Sequence, residues 1–131
     1  MMGGAPALLL LMLACVAEPT PSGATCPPDS AWTYENFGQP FMEQYCVRCH
    51  SSELHGSARQ GAPLYHDFDS LEGIIVVSNH VDEYTAAGPD SVNERMPPNG
   101  EPPSLEEREK LGEWIACERE ATGCRAPEGP G

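Results

Sequence analysis

Apolar residues recur at helical spacing in three stretches of the chain. In the first, residues 34–48, Phe37, Phe41 and Tyr45 follow one another at four-residue steps and therefore share one helix face. Pro40 is best tolerated in a first helical turn, so we expect the regular helix to begin there, after a looser turn. The aromatic face requires an apolar partner elsewhere in the fold.

A second helix is predicted over residues 70–87, with Asp69 or Ser70 as its cap and Gly88 as its stop. Its apolar positions are Leu71, Ile74, Ile75 and Val81. The run Ile-Ile-Val-Val at 74–77 is also typical of a strand. Because the chain offers no second strand pattern for pairing, we predict a helix.

The clearest helical pattern is the last one, over residues 105–117. Ser104 and Glu107 form a capping box ahead of it. Its apolar face consists of Leu111, Trp114 and Ile115. The preceding segment, residues 96–103, is rich in proline and must be a loop. The pattern as a whole therefore predicts an all-α fold.

The first fifteen residues have the character of an export signal. Their apolar run, residues 5–14, is too short for a membrane span and suits a signal-peptide core. It ends in Leu-Ala-Cys at 13–15, which resembles a bacterial lipoprotein signal, so we expect Cys15 to be lipidated; simple cleavage is the alternative. Residues 16–25 are then predicted to be a flexible tether. The expected location is the periplasm or cell envelope, with a membrane anchor at Cys15.

The length of 131 residues allows one domain, which we place at residues 26–124, followed by a disordered tail over 125–131. The 13 Gly and 14 Pro concentrate near the two ends and in the middle loops, as expected for a loop-rich domain. Such a small domain buries a modest core. A large covalent cofactor would therefore add substantially to it.

The charge is strongly acidic, with 20 Asp and Glu against 7 Lys and Arg and a net charge of −13. Nucleic acid is excluded as a partner because its non-specific binding depends on Lys and Arg displacing counterions. An acidic surface can steer a redox partner that has a basic docking surface, and simple solubility is the alternative interpretation.

The segment Cys46-Val47-Arg48-Cys49-His50 is the C-x-x-C-H signature of c-type haem attachment. Two thiols add to the two vinyl groups of the porphyrin, and the adjacent imidazole binds the iron. A bare C-x-x-C also suits a disulfide oxidoreductase or half a zinc site. A disulfide oxidoreductase motif should accompany alternating strands and helices, and a zinc site needs two more ligands at close spacing. We therefore predict one covalent haem c with His50 as the proximal ligand.

The second axial position of the iron is assigned to Met96. Pro97 and Pro98 stiffen the loop behind it, so its sulfur can be presented with little entropy lost on folding. Met42 is predicted to be a core residue. The other histidines are expected to be solvated surface residues, with His80 as the best alternative ligand among His55, His66 and His80.

Disulfides are expected because an exported protein folds in an oxidising compartment. With one of the six cysteines assigned to lipid and two to haem, Cys26, Cys117 and Cys124 remain. We select Cys26 with Cys117, which would join the entry of the first helix to the end of the last. Cys26 with Cys124, and Cys117 with Cys124, stay open as alternatives.

These features together resemble a class I monohaem cytochrome c over about residues 33–117. In that family the attachment motif ends an N-terminal helix, a Met-Pro loop comes late in the chain, and a C-terminal helix carries aromatic and aliphatic residues. The resemblance implies a small helical fold wrapped around the haem, with the first and last helices crossing. It places Gly38 and Met42, at four-residue steps before Cys46, near that crossing. It also implies that a carbonyl, at Pro63 or Ala62, accepts a hydrogen bond from the axial histidine.

The expected function is electron transfer by a haem with His and Met ligands, without enzymatic activity. The alternative is a peroxidase-like, gas-binding or sensing haem whose sixth position is open or weakly held. The sequence supplies no convincing distal acid or base for it, although His66 and His80 are candidates. A third hypothesis is a structural lipoprotein with a zinc or disulfide motif.

Overall fold

The computed structural model describes Gly4 and residues 17–123 of the chain. Over these residues the fold is all-α, as predicted. Its elements are a π-helical turn at Tyr34–Gly38, α1 at Gln39–Tyr45, a 3₁₀ turn at Gly56–Arg59, α2 at Leu71–Val76, α3 at Ser78–Thr85 and α4 at Leu105–Gly123. The predicted export signal with Cys15, and the tail from Cys124 onward, lie outside the described residues.

The described part of the chain forms no strand, and an isolated antiparallel bridge joins Ala87 to Val92. None of the helices in residues 17–123 combines the length and apolar character that a membrane span requires.

The first helical segment has the predicted two-part form. Thr33 caps the π-helical turn: its hydroxyl accepts from the Asn36 N–H at 3.1 Å, and the Asn36 side chain accepts from the Thr33 N–H at 2.7 Å. Pro40 lies in the first turn of α1, where a missing N–H is tolerated. The helix ends at Tyr45 and does not continue to Arg48 as its pattern suggested. The attachment motif therefore forms a separate turn.

The last helix meets the first segment at Gly38. A Cβ at this position would come within 2.4 Å of the Trp114 ring, so only glycine allows the approach. Trp114 is fully buried and contacts Phe37 at 6.4 Å between ring centroids. The predicted aromatic face thus packs against the predicted face of α4. Other members of the same core are Phe41, Met42, Tyr45, Ile74, Val81, Leu111 and Ile115.

The capping box of α4 is confirmed. The Glu107 carboxylate accepts from the Ser104 N–H at 2.8 Å, and the Ser104 hydroxyl accepts from the Glu107 N–H at 3.1 Å. The helix runs to Gly123, beyond the predicted end near Cys117. Its additional turns are polar and therefore gave no apolar signal; Arg119 in this part donates to the Ser78 hydroxyl at 3.3 Å. Polar contacts with α3 support the extension.

The single helix predicted over residues 70–87 is in fact two helices. Ser70 caps α2, since its hydroxyl accepts from the Gly73 N–H at 3.1 Å. The chain leaves helical geometry at Val77, with φ −119° and ψ 27°, and α3 ends at Thr85. The physical reason is the β-branched run at 74–77, in which each residue loses χ1 freedom against the preceding helical turn.

The prediction of a flexible tether over residues 16–25 is wrong for residues 20–24. Ser22 is 0% exposed, and its N–H and hydroxyl donate to the Asp82 carboxylate at 2.6 and 2.7 Å. A Cβ at Gly88 would come within 2.5 Å of the Ser22 carbonyl oxygen, so the two backbones lie in close contact. Hydrogen bonds from a small polar residue to a buried carboxylate anchor this segment, which is why hydrophobic patterning did not reveal it.

Cys26 and Cys117 form a disulfide, with their Cα atoms 4.7 Å apart. This is the pairing selected from the sequence. The bond joins the chain ahead of the first helical segment to α4, and so fastens the N-terminal part of the described chain to the core.

Candidate haem-binding site

A cavity of about 450 Å³ lies between the attachment turn, the loop that follows it, α3 and the loop at Met96. All four side chains predicted to hold a cofactor line this cavity: Cys46, Cys49, His50 and Met96. Apolar side chains, including Phe68, Val81 and Pro98, form part of the same wall. A largely apolar cavity with a few converging polar groups is typical of a cofactor site.

The attachment motif is a compact turn directly after α1. The N–H groups of Cys49 and His50 both donate to the Cys46 carbonyl, at 3.1 and 2.9 Å. The Arg48 guanidinium donates to the Asn99 carbonyl and so connects this turn to the loop that follows Met96. The turn thus presents two thiols and one imidazole to the same cavity.

The Cys46 thiol is protonated at neutral pH. Burial raises its pKa to about 12, and the nearby Arg48 charge offsets only part of that effect. Reactive cysteines in disulfide oxidoreductases have a lowered pKa, because the thiolate is the nucleophile. The environment of Cys46 therefore does not favour thiol–disulfide exchange.

The His50 ring has a defined tautomer. Its Nδ1 lies 3.0 Å from the His66 carbonyl oxygen, which can only accept, so Nδ1 carries the proton and Nε2 keeps its lone pair. Burial lowers the His50 pKa, so the imidazole is neutral at neutral pH, as metal ligation requires. The expectation that Pro63 or Ala62 accepts this bond is wrong. Their carbonyls accept instead from Arg59, at 2.7 and 3.2 Å.

Arg59 organises the loop between His50 and α2. It is 3% exposed, and its guanidinium forms a 2.8 Å ion pair with Asp67. It also donates to the backbone carbonyls of Ser51, Leu54, Ala62, Pro63 and His66. Phe68, at the end of this loop, stacks on the His50 ring with centroids 4.5 Å apart and planes 15° from parallel. Sequence reasoning missed both residues, because a lone residue in an irregular loop carries no periodic signal.

Met96 is held through its backbone on both sides. Its N–H donates to the Tyr84 carbonyl at 2.9 Å, and its carbonyl accepts from Arg108 at 3.0 Å. Sequence reasoning also missed Arg108, although a signal was present. Arg108 lies three and seven residues before Leu111 and Ile115, on the apolar face of α4, where an arginine is rarely found without a specific role.

Two of the remaining histidines form a pair at the cavity wall. His66 Nε2 lies 3.1 Å from His80 Nδ1, and the rings stack with centroids 5.3 Å apart. His55 and His80 are exposed, as predicted for surface histidines, whereas His66 is half-buried. The buried Nδ1 of His66 has no hydrogen-bond partner in the described part of the chain.

Comparison with known protein families, with curated proteins and with solved structures gives no match for this chain. Within residues 17–123, no cluster of three or more His, Cys, Asp and Glu side chains could hold a metal ion. The cavity lining includes two thiols, a neutral imidazole and a thioether, the side chains that a covalently attached haem with His and Met ligands uses, together with His66, His80 and Glu83.

Proposed function

We propose that this protein is an exported electron-transfer protein that holds one haem c. Cys46 and Cys49 would form the thioether bonds, and His50 and Met96 would be the axial ligands. The observation that carries the proposal is the convergence of these four side chains on one cavity, although Met96 lies far along the chain from the attachment motif. The haem, when bound, supplies an iron that stores and releases one electron.

The surrounding residues are suited to keep both axial ligands in place. The His66 carbonyl and the Phe68 ring fix the orientation of His50, and backbone hydrogen bonds fix Met96. Ligands held in this way change little between oxidation states. A thioether opposite an imidazole also raises the reduction potential relative to two imidazoles, which suits the high-potential end of an electron-transfer chain.

We further propose that the chain is a relative of the class I monohaem cytochromes c, with its helices wrapped around the haem. The close contact at Gly38 supports this proposal, because the family's first and last helices cross near the corresponding position. Its redox partners are proposed to carry a basic docking surface, complementary to the net charge of −13. No enzymatic activity is proposed.

Export and a lipid at Cys15 are part of the same proposal. The disulfide between Cys26 and Cys117 supports export, because disulfides persist in oxidising compartments. Since Thr20 and Ser22 are buried, the link from Cys15 to the fold is only a few residues long. At about 3.6 Å per extended residue, a lipid on Cys15 would hold the domain within roughly 18 Å of the membrane surface.

The visible spectrum tests the proposal directly. The wild-type protein, produced with a haem-attachment system, is expected to retain haem on a denaturing gel and to show the weak long-wavelength band of sulfur-ligated ferric haem. Met96→Ala is expected to keep the covalent haem and lose that band. Met42→Leu is the matched control, because Met42 is a buried core methionine and the replacement conserves volume. It should retain the band.

The opposing outcomes are equally specific. A band that persists in Met96→Ala would refute the assignment of Met96. Covalent haem in a variant with both Cys46→Ser and Cys49→Ser would refute the attachment site, and a wild-type protein without covalent haem would refute the function. Rapid, stoichiometric binding of carbon monoxide to the reduced protein would support the alternative, a gas-binding or peroxidase-like haem with a weak sixth ligand.

A further inference from the structure

Arg108 is a buried cation in the apolar face of α4. Its exposed fraction is 3%, and its neighbours on that face, Leu111 and Ile115, are fully buried. Within the described residues, no carboxylate lies at ion-pair distance from its guanidinium; the ion pairs there are Arg59–Asp67 and Lys110–Glu106. Burying an unpaired charge is costly, so other polar groups must replace the lost water.

Three backbone carbonyls converge on a single nitrogen of Arg108. Its Nη1 lies 2.9 Å from the Thr85 carbonyl oxygen, 2.8 Å from that of Asn93 and 3.0 Å from that of Met96, so its two N–H groups are shared among three acceptors. Thr85 is the last residue of α3, and the other two belong to the loop after it. The Arg108 carbonyl also accepts from the Ala87 N–H at 2.9 Å. One residue of α4 therefore holds both ends of the segment that leads to Met96.

From these contacts we infer that Arg108 is the positioning residue that keeps the Met96 sulfur at the sixth ligand position. The inference rests on the proposed function. On the N-terminal side, Met96 is held by its N–H bond to Tyr84. On the C-terminal side its carbonyl bonds to Arg108, so loss of the guanidinium leaves that side of the ligand without its anchor and three carbonyls without their donor.

Arg95 provides a matched control for the effect of charge. It is the residue directly before Met96, it is exposed, and its guanidinium lies 5.1 Å from the centroid of the Tyr84 ring. Arg95→Met removes the same positive charge close to the same ligand. It removes none of the three hydrogen bonds to carbonyls, so it separates positioning from electrostatics.

The experiment compares Arg108→Met, Arg108→Lys and Arg95→Met with the wild-type holoprotein. Three quantities are measured: covalent haem on a denaturing gel, the strength of the long-wavelength sulfur band, and the affinity of the ferric protein for added imidazole, which competes with Met96. Arg108→Met is expected to keep covalent haem, to lose most of the band and to bind imidazole about tenfold or more tightly, because charge-assisted hydrogen bonds to the ligand loop are lost.

Arg108→Lys is expected to give intermediate values. An ammonium has three protons for the three carbonyls, but its stem is one bond shorter than that of arginine. Arg95→Met should behave as wild type. If Arg108→Met accumulates no folded protein, Arg108→Lys decides: a weakened band with tighter imidazole binding supports the inference, and wild-type values overturn it.

Two further results would overturn the inference. One is an Arg108→Met protein that retains covalent haem together with wild-type band strength and wild-type imidazole affinity. The other is an Arg95→Met protein that changes as much as Arg108→Met, which would make the effect one of charge. The proposed function fails separately, if the wild type lacks covalent haem or if Met96→Ala keeps the sulfur band.

Discussion

Gly38 determines how closely the first helical segment and α4 can approach. The Trp114 ring occupies the space that a side chain at position 38 would need. Trp114 itself is fully buried, and its indole N–H donates to the Glu118 carboxylate at 3.1 Å. The ring is thus fixed by packing and by a hydrogen bond, and it cannot move aside without loss of both.

Gly38→Val is therefore expected to lower the free energy of unfolding by about 1–3 kcal/mol, as overpacking of a filled core does. Chemical denaturation of the holoprotein measures the change. Gln39→Ala is a suitable control, because Gln39 is the next residue along the chain and is exposed, and its effect should stay within about 0.5 kcal/mol. Equal stabilities for Gly38→Val and the wild type would mean that the close contact with Trp114 does not exist.

The attachment turn and the buried arginines differ in how far the sequence reveals them. Cys46, Cys49 and His50 lie within five consecutive residues, so their spacing alone predicts a haem-attachment motif. Arg59 and Arg108 act through backbone carbonyls that come from distant parts of the chain. A carbonyl is present at every residue, so the sequence does not mark which ones will meet a guanidinium. The same reason explains why the acceptor for His50 is His66 and not Pro63 or Ala62.

Among the elements, those with a buried apolar face were predictable. The first and last helices, the Ser104 capping box and the start at Pro40 all follow from spacing and capping rules. The break at Val77 was not predictable, because it results from a balance of weak helix propensities. The docking of residues 20–24 was not predictable either, because it depends on a buried carboxylate. Local patterns predict neither kind of effect reliably.

The docked N-terminal segment, residues 20–24, is bound through the Asp82 carboxylate, so the protonation state of Asp82 affects the stability of the fold. Burial raises the Asp82 pKa above its ordinary value of 3.8, although the hydrogen bonds from Ser22 offset part of this effect. The folded state therefore holds the Asp82 proton more tightly than the unfolded state does. As pH rises through 3.8 and then through the raised folded pKa, Asp82 contributes progressively less to stability.

Asp82→Asn should remove this dependence, so the free energy of unfolding of the wild type minus that of the variant is expected to fall as pH rises from 3 to about 7. Chemical denaturation at a series of pH values measures it. Asp69→Asn is a control of opposite sign. Burial would raise the Asp69 pKa, but hydrogen bonds from Ser51 and Ser52 outweigh it and lower the pKa. For Asp69→Asn, the free energy of unfolding of the wild type minus that of the variant should grow with pH. The same trend for Asp82→Asn would contradict the raised Asp82 pKa in the docked segment.

At the scale of the whole molecule, two of the three buried charged side chains in the described part of the chain are arginines, and the third is Asp82. The net charge is −13, yet Arg59 and Arg108 are buried. The cavity wall itself carries Arg48, Arg59 and Glu83, so its local charge is less negative than the molecule as a whole. A partner at a distance responds mainly to the net charge of the molecule. A partner in contact with the cavity responds mainly to the charged side chains of the cavity wall.

This arrangement predicts how electron exchange depends on salt. With small redox reagents, the rate for a cationic reagent should fall as ionic strength rises, and the rate for an anionic one should rise, by about tenfold between 0.01 and 0.1 M salt, because the Debye length shrinks from about 30 to about 10 Å. Stopped-flow spectroscopy of the haem measures both rates, and a neutral reagent serves as the control. If salt instead slows the reaction with the anionic reagent, the electrostatic potential next to the cavity is positive. The proposed partner would then have to be acidic, since local charges such as Arg48 would outweigh the net charge of the surface.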